Sequence, residues 1–451
     1  MRRFTWLLLA VTFVGETAAR GQQPATTQVT TEQFQQLLHQ QDQMRHEIEQ
    51  LKAERSATAT TQPGTPAPPP AGQAVAPAVT QDDLDDIDVQ MRKLRDQVHS
   101  ALPGTEHLVI AGDAAVGFQT QRQTNSTFYG GVSPLILWQP TDRLLFEAGF
   151  DFGLNTDNTN TSSTSVDLSI ADASFVVNDY LIVGGGLFVV PFGQYHNHFD
   201  PPWINKLPDD PLAFGNRAIG PGSEVGIFAR GAAPIGRDSK VTYDVYLANG
   251  PNLFTNDPTQ AGSLNFDDFT DLNDSKAVGG RLGFLPVPSL EVGYSFEFAE
   301  TAPPQFGRKV DAFLQAADLN YKKEFHPISG TVQVNAEWIW SSVGHAVYDP
   351  NHTMGFGPLS FSGYRDGGYV TVSYRPTLVP NNIVRNLEFV TRYDAVFIPM
   401  QAPGGGNEQR VTFGVDYWLT PSAVLKFAYE IDDNKAGPDQ NAFFVQFGIG
   451  L

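Results

Sequence analysis

The chain closes on Phe443-Phe444-Val445-Gln446-Phe447-Gly448-Ile449-Gly450-Leu451. In an extended segment, Phe443, Val445, Phe447, Ile449 and Leu451 fall on one side, and Phe444, Gln446, Gly448 and Gly450 fall on the other. The first set is wholly apolar, and the second is small or polar apart from Phe444. A strand between hydrocarbon and water needs that alternation. Left as a free edge, such a strand would template aggregation. A closed sheet has no edge, because its last strand pairs with its first. The ending therefore predicts a closed antiparallel barrel in which Phe443–Leu451 pairs with a strand near 107–120. The small inner residues leave room for water.

The same period-2 pattern recurs upstream. Strands are expected near 107–120, 127–139, 143–154, 164–177, 181–192, 223–233, 240–249, 275–285, 290–300, 310–323, 329–341, 367–375, 384–397, 410–419, 423–432 and 441–451, about sixteen in all, an even number as bacterial barrels require. The connections alternate in length. Short ones carry turn residues, such as Gln139-Pro140-Thr141-Asp142, Asn178-Asp179-Tyr180, Pro286-Val287-Pro288-Ser289 and Thr420-Pro421-Ser422. Longer polar loops fall near 155–163, 193–222, 250–274, 301–309, 342–366, 398–409 and 433–440. Short turns at one rim and long loops at the other mark a membrane barrel.

Composition agrees. Charged residues are 17 % of the 451, against about 25 % in ordinary soluble chains. No run of about 18 apolar residues exists that could form a spanning helix. The start reads as an export signal over 1–21, with Arg2 and Arg3, the apolar Phe4–Val14, and small residues around Ala19-Arg20-Gly21; an uncleaved anchor helix is the other reading. The absence of Cys excludes thiol chemistry and disulfides. A formal charge of −20 speaks against nucleic acid as a partner.

Three segments precede the strands. Residues 31–55 carry a heptad (Phe34, Leu37, Gln41, Met44, Ile48, Leu51) and predict a coiled-coil helix, or a lone amphipathic one. Residues 56–79 are a Pro/Ala/Thr linker, expected to be disordered. Residues 80–102 predict a second amphipathic helix through Leu84, Ile87, Met91, Leu94 and Val98. The barrel domain then runs over 105–451. The helices suggest a periplasmic partner or tether.

Alternation assigns faces. Leu290, Val292, Tyr294, Phe296 and Phe298 oppose Glu291, Gly293, Ser295 and Glu297. Val332, Val334, Ala336, Trp338 and Trp340 oppose Thr331, Gln333, Asn335 and Glu337. Leu387, Phe389, Tyr393 and Phe397 oppose Glu388, Arg392 and Asp394. A charge facing lipid at mid-membrane costs about 2–4 kcal/mol, so the charges are expected inside, in water. Pore-lining candidates are Glu224, Arg230, Asp244, Arg281, Glu291, Glu297, Glu337, Glu388, Arg392 and Asp416. Trp138, Tyr180, Trp340, Tyr374 and Trp418 are expected at the lipid–water interfaces. The loop 193–222 is expected to narrow the lumen, with His196, His198, Asp200, Asp209, Asp210 and Arg217 as its polar residues.

His196-x-His198 with Asp200 has metal-ligating residue types but no visible fourth ligand, so it reads as loop polarity rather than a metal site. Asp267, Asp268, Asp271 and Asp274 lack the Gly and Glu of a calcium loop and read as solvated. No nucleophile elbow or phosphate-cradling loop is present. The chain is expected to be no enzyme and to need no cofactor.

Leu181-Ile182-Val183-Gly184-Gly185-Gly186-Leu187-Phe188-Val189-Val190-Pro191-Phe192-Gly193 resembles the phosphate-selective porin O and P family, whose members carry a similar V-G-x-x-x-x-P-F-G strand before a long third loop. Gly222–Gly231 and Tyr243–Gly250 resemble the following hairpin. The likeness covers roughly 170–300. It implies a sixteen-stranded trimeric barrel that admits small solutes across the bacterial outer membrane. Phosphate-selective members line the pore with Arg and Lys. Here the inferred lumen leans acidic: Glu147, Asp151, Asp167, Glu224, Asp244, Glu291, Glu297, Glu337, Glu388, Asp394, Asp416 and Glu430 stand against Arg230, Arg281, Arg392, Arg410 and Lys426. The expected function is thus passive diffusion of small hydrophilic solutes or ions, with lipid, solutes and a homotrimer as partners. An anion or phosphate porin, and a structural envelope tether, are the alternatives. Leu451 stands where barrels of this kind usually end in Phe or Trp.

Overall fold

The structure is a computed structural model that describes residues 107–156, 162–215, 218–254, 260–266, 269–272, 274–303, 306, 308–348, 358–403, 405–435 and 437–450. The stretches read as an export signal, two helices and a linker, together with Arg217, Asp267, Asp268 and Leu451, lie outside the described residues.

The strands are β1 (Leu108–Gln121), β2 (Thr127–Thr141), β3 (Leu144–Thr156), β4 (Ser162–Asn178), β5 (Leu181–Val189), β6 (Ser223–Pro234), β7 (Lys240–Ala248), β8 (Asn252–Leu253), β9 (Leu264–Asn265), β10 (Ala277–Val287), β11 (Leu290–Glu300), β12 (Asp311–Phe325), β13 (Gly330–Tyr348), β14 (Leu359–Arg375), β15 (Leu387–Ile398), β16 (Gly406–Thr420), β17 (Ala423–Asn434) and β18 (Ala442–Gly450). All but β8 and β9 form one closed antiparallel barrel, in which β1 pairs with both β2 and β18. The closing seam runs from Asp113 opposite Gly450 to Gln121 opposite Ala442. The barrel is the expected sixteen-stranded one, and its last strand seals against the first.

Two departures concern the loops. β13 and β14 stay paired out to Tyr348 opposite Leu359, well into the stretch read as loop 342–366. Beyond the lipid the apolar alternation is no longer needed, so the pattern fades while the backbone pairing continues. β8 and β9 form a separate two-stranded sheet inside the 250–274 loop. Two residues per strand are too few to show a period.

The outer face is a belt of exposed apolar side chains. Phe128 is 73 % exposed, Val166 64 % and Leu282 58 %. Burying each such side chain is worth about 1.5–3 kcal/mol, so water is the wrong solvent for this surface and hydrocarbon the right one. The barrel is built to span a bilayer. Trp138 and Tyr180 are on the exposed surface. Trp418 does not. It is buried on the inner side, and its indole N–H donates to Glu388 Oε2 at 2.8 Å. Trp418 shares the parity of Asp416 rather than Tyr417, and a charged partner inside gives its N–H a use that hydrocarbon lacks.

Candidate functional site: the loop inside the barrel

Between β5 and β6 the chain turns inward. Val190, Phe192, Tyr195, Leu212, Phe214 and Ile219 are buried together with wall residues Phe188, Phe228, Tyr246, Leu314, Ile339 and Tyr369. The loop thus carries its own apolar face and docks it on the inner wall. Tyr195 packs on Phe214 at 4.8 Å and on Tyr369 at 5.7 Å between ring centroids. Tyr195–Phe199 forms a short π-helical turn.

Backbone groups of the loop are satisfied by wall side chains. The Gly193 N–H donates to Ser295 Oγ at 2.9 Å, and the N–H groups of Gln194 and Tyr195 donate to Glu337 Oε2 at 2.8 and 2.9 Å. Buried N–H groups left unpaired would cost about 1–3 kcal/mol each, so Glu337 pins the loop's entrance. Gly193 has φ +68°, and a Cβ there would lie 1.6 Å from Glu337 Oε1. The last glycine of the Pro-Phe-Gly motif is therefore required twice, by backbone conformation and by space.

Further along, ion pairs take over. Arg392 Nη1 donates to the Asp209 carbonyl at 2.9 Å, its Nη2 to Asp209 Oδ2 at 2.5 Å, and its Nε to Asp394 Oδ2 at 2.9 Å. Arg410 Nη1 reaches the same Asp209 oxygen at 3.1 Å and Glu430 Oε2 at 2.9 Å. Burial alone would raise the Asp209 carboxyl, but Arg392 and Arg410 outweigh it and hold it below its ordinary range. The Leu212 N–H donates to Asp394 Oδ1 at 3.1 Å. Lys206 pairs with Glu388 at 3.0 Å. Lys426 Nζ donates to the carbonyls of Pro202 and Asn205 at 2.5 and 2.7 Å and to Gln446 Oε1 at 3.0 Å. Asp416, opposite Lys426 in the β16–β17 register, is buried, and neither of its carboxylate oxygens has a hydrogen-bond partner.

The tip of the loop reaches the closing seam. A Cβ on Gly448 would lie 2.7 Å from the Pro202 carbonyl oxygen, and one on Gly450 2.5 Å from the Trp203 indole. The inner glycines of β18 were expected to leave room for water. They make room for Pro202 and Trp203 instead.

The loop separates two spaces. One, of about 480 Å³, is bounded by Gln119, Tyr129, Asp209, Asp210, Glu408, Arg410, Glu430 and Asp432 toward the long-loop rim. The other, of about 770 Å³, is bounded by Trp203, Lys206, Lys322, Gln333, Arg375, Glu388 and Trp418 toward the short-turn rim. A small cavity of about 20 Å³ lies beside Tyr195, Asn205, Lys206 and Arg392.

The candidates read from the sequence fall on the inner face as follows. Glu224 accepts from the Gly250 N–H at 3.2 Å, and Glu297 accepts from the Tyr246 hydroxyl at 2.6 Å. Arg230 stands 3.6 Å from Asp244. Arg281 bridges Asp318 at 2.7 Å and Glu291 at 3.0 Å. On the loop, His196 Nδ1 lies 3.7 Å from Asp200 Oδ2, and the Asp200 carboxylate outweighs burial to raise the imidazole's affinity for a proton. Burial lowers it at His198. Asp210 accepts from the Tyr195 hydroxyl at 2.6 Å. Among the described residues no cluster of three or more His, Asp or Glu is placed to hold a metal ion.

Lys206, Asp318 and Trp203 were missed. Asp318 was legible, since Ala316, Asp318 and Asn320 alternate with Ala317, Leu319 and Tyr321 along β12. Lys206 and Trp203 were not, because nothing local in a loop says which wall it will meet.

No protein-family model matches the chain, and no curated protein does. Solved structures do. The outer membrane channel DcaP of Acinetobacter baumannii aligns at TM-score 0.48 and 10 % identity over 76 % of this chain and 97 % of its own. OprB of Pseudomonas putida aligns at 0.49 and 10 % over 81 % and 96 %. An anion-selective porin from Comamonas acidovorans aligns at 0.47 and 11 % over 76 % and 99 %. At that distance these likenesses add nothing to the barrel that the strand pairing itself defines.

Proposed function

We propose that the chain is an outer-membrane porin through which small hydrophilic solutes or ions diffuse passively, with the loop of residues 190–222 as its constriction. The observation that carries this reading is the loop's seat. A polar segment crosses the inside of a lipid-facing barrel, bound to β11, β13, β15, β16, β17 and β18, with open space on either side. Export to the outer membrane and assembly as a homotrimer belong to the same proposal. No catalytic step does.

Ion preference follows from which charges stay free. Arg281, Arg392 and Arg410 are each engaged by carboxylates. Those three arginines are therefore not free for phosphate, and the phosphate selectivity of the resembling family is not carried over. A lumen whose surplus charge is acidic favours cations. The test is recording in planar bilayers under a KCl gradient, with and without phosphate. Open channels that reverse toward the potassium potential are expected. Closed barrels would favour the envelope-tether reading, and reversal toward the chloride potential would favour an anion porin.

A further inference from the structure

We infer that cations cross the constriction along the β1–β4 wall, over the carboxylates of Asp113, Asp151 and Asp167, and that these three residues set the pore's preference for cations. This rests on the porin reading above and names the route and the residues behind its charge preference.

The loop covers one arc of the lumen and leaves another bare. Among the described residues its hydrogen bonds and ion pairs to the wall end on β11, β13 and β15–β18. Its apolar face packs on Phe228 of β6, Tyr246 of β7, Leu314 of β12, Ile339 of β13 and Tyr369 of β14. Its tip, Trp203, stops against Gly450 on β18. One strand further on, Asp113 stands opposite Gly450 and opposite Ser133 of β2. Val132 opposite Phe152 and Leu135 opposite Gly149 set Ser133 against Asp151 of β3, and Asp151 stands opposite Asp167 of β4. Three carboxylates and a hydroxyl thus lie in one row across four strands, about 14 Å along the sheet at about 4.8 Å per strand. Asp151 and Asp167 alternate with the outward-facing Phe152 and Val166, so they point inward, yet Asp167 is exposed and Asp151 half-buried. Open space lies over them.

No ion pair or hydrogen bond engages the carboxylates of Asp113, Asp151 or Asp167 among the described residues. Like charges directly opposite one another destabilise a strand pair. Here Asp151 faces Asp167, and four residues nearer the short turns Glu147 faces Asp172. Asp172 is 8 % exposed, and its Oδ1 has no hydrogen-bond partner. Arg230, the cation that acts on Asp172, stands 3.6 Å from Asp244. From the loop side, the exposed Asp200 repels Asp113 as Asp151 does. Its ionic contact is His196 at 3.7 Å. Carboxylates therefore face one another across the space between the loop and the bare wall. On the covered arc, Arg281, Arg392 and Arg410 are closed into pairs with Asp318, Asp209 and Glu430, and their fields largely cancel.

A passing ion responds to charge that has no counter-charge. One unit charge at about 5 Å in water raises a cation's local concentration about two- to fourfold at 0.1 M salt and lowers an anion's by as much. Neighbouring carboxylates in one row act on the same ion, which is how acidic pore walls select cations.

The experiment is reversal-potential recording of the full-length protein in planar bilayers under a KCl gradient. Asp151→Asn combined with Asp167→Asn should lower the ratio of potassium to chloride permeability about threefold or more. Asp238→Asn, in the exposed β6–β7 turn, should leave it unchanged. The chain has no native Cys, so Ser133→Cys probes the row directly. A cationic thiol reagent should react there faster than an anionic one of like size, and the reaction should lower the current. A conducting double variant that keeps the wild-type ratio overturns the inference and leaves the porin reading intact. So does a Ser133→Cys thiol that stays unlabelled, or that is labelled with no change in current. A wild-type channel selective for chloride overturns it too. Lack of any conductance in the wild type removes the porin reading and this inference with it.

Discussion

The Trp203 indole occupies the place where Gly450 would carry a side chain: a Cβ there would lie 2.5 Å from the ring. One residue is the tip of a loop that leaves the barrel after β5. The other ends the strand that closes it. The seam that makes the barrel a barrel is also the far wall that receives the loop.

Replacing that glycine should evict the tip. Gly450→Val puts two methyl groups into space held by Trp203, and overpacking of this kind costs about 1–3 kcal/mol. The barrel should survive, because β18 keeps its pairing. The expected outcome is a larger single-channel conductance and a Trp203 emission spectrum shifted toward that of indole in water. Unchanged conductance and emission would show that the contact does not hold the tip.

At the loop's other end the anchor is Glu337. Glu337→Ala leaves the buried N–H groups of Gln194 and Tyr195 without their acceptor, at about 1–3 kcal/mol each. Cleavage of the loop by protease added to folded protein should become faster, with no change in the heat needed to unfold the barrel. Glu337→Gln, which keeps one acceptor oxygen, should fall between.

Arg392 ties the loop to the wall by a buried pair. Arg392→Met strands Asp209 and Asp394 without their main counter-charge. Breaking one side of such a pair costs about 3–5 kcal/mol. The temperature at which the folded band is lost on unheated-to-heated gel series should drop. The double variant Arg392→Met with Asp209→Asn should recover part of the loss.

Acid should loosen the same joint. The Asp209 carboxyl is held below its ordinary range, so its contribution is present above the unfolded pKa of about 3.9 and is lost as pH falls through the lower folded value. Between pH 7 and 5 the part of the loop's resistance to proteolysis that depends on Asp209 should stay flat. Below about pH 4 it should decline, and Asp209→Asn should already show the weakened state at neutral pH. Pepsin digestion at low pH gives the readout.

The barrel was legible because lipid enforces a rule on every strand. Phe389, Thr391 and Tyr393 outward against Glu388, Val390 and Arg392 inward is a pattern that a solvent on each side imposes locally, residue by residue. Strand ends were less legible, as β13 and β14 show, since backbone pairing outlasts the apolar pattern that reveals it. Trp418 was misplaced because a Trp near a strand end satisfies either an interface or a buried acceptor, and only the opposing Glu388 decides between them. The charges were identified as inward, but their partners were not. Arg392 and Asp209 are 183 positions apart.

The sequence by itself determined that this chain closes into a sixteen-stranded barrel with an apolar outside and a charged inside, because strand parity and turn chemistry are local and each strand repeats the message. Only the tertiary structure decided what fills that inside. Closure of β1 on β18 brings the loop after β5 within reach of a wall more than 200 residues further along, and there Lys426, Gly448 and Gly450 receive Pro202 and Trp203. Such contacts depend on how the sheet curves round, and no local pattern records them.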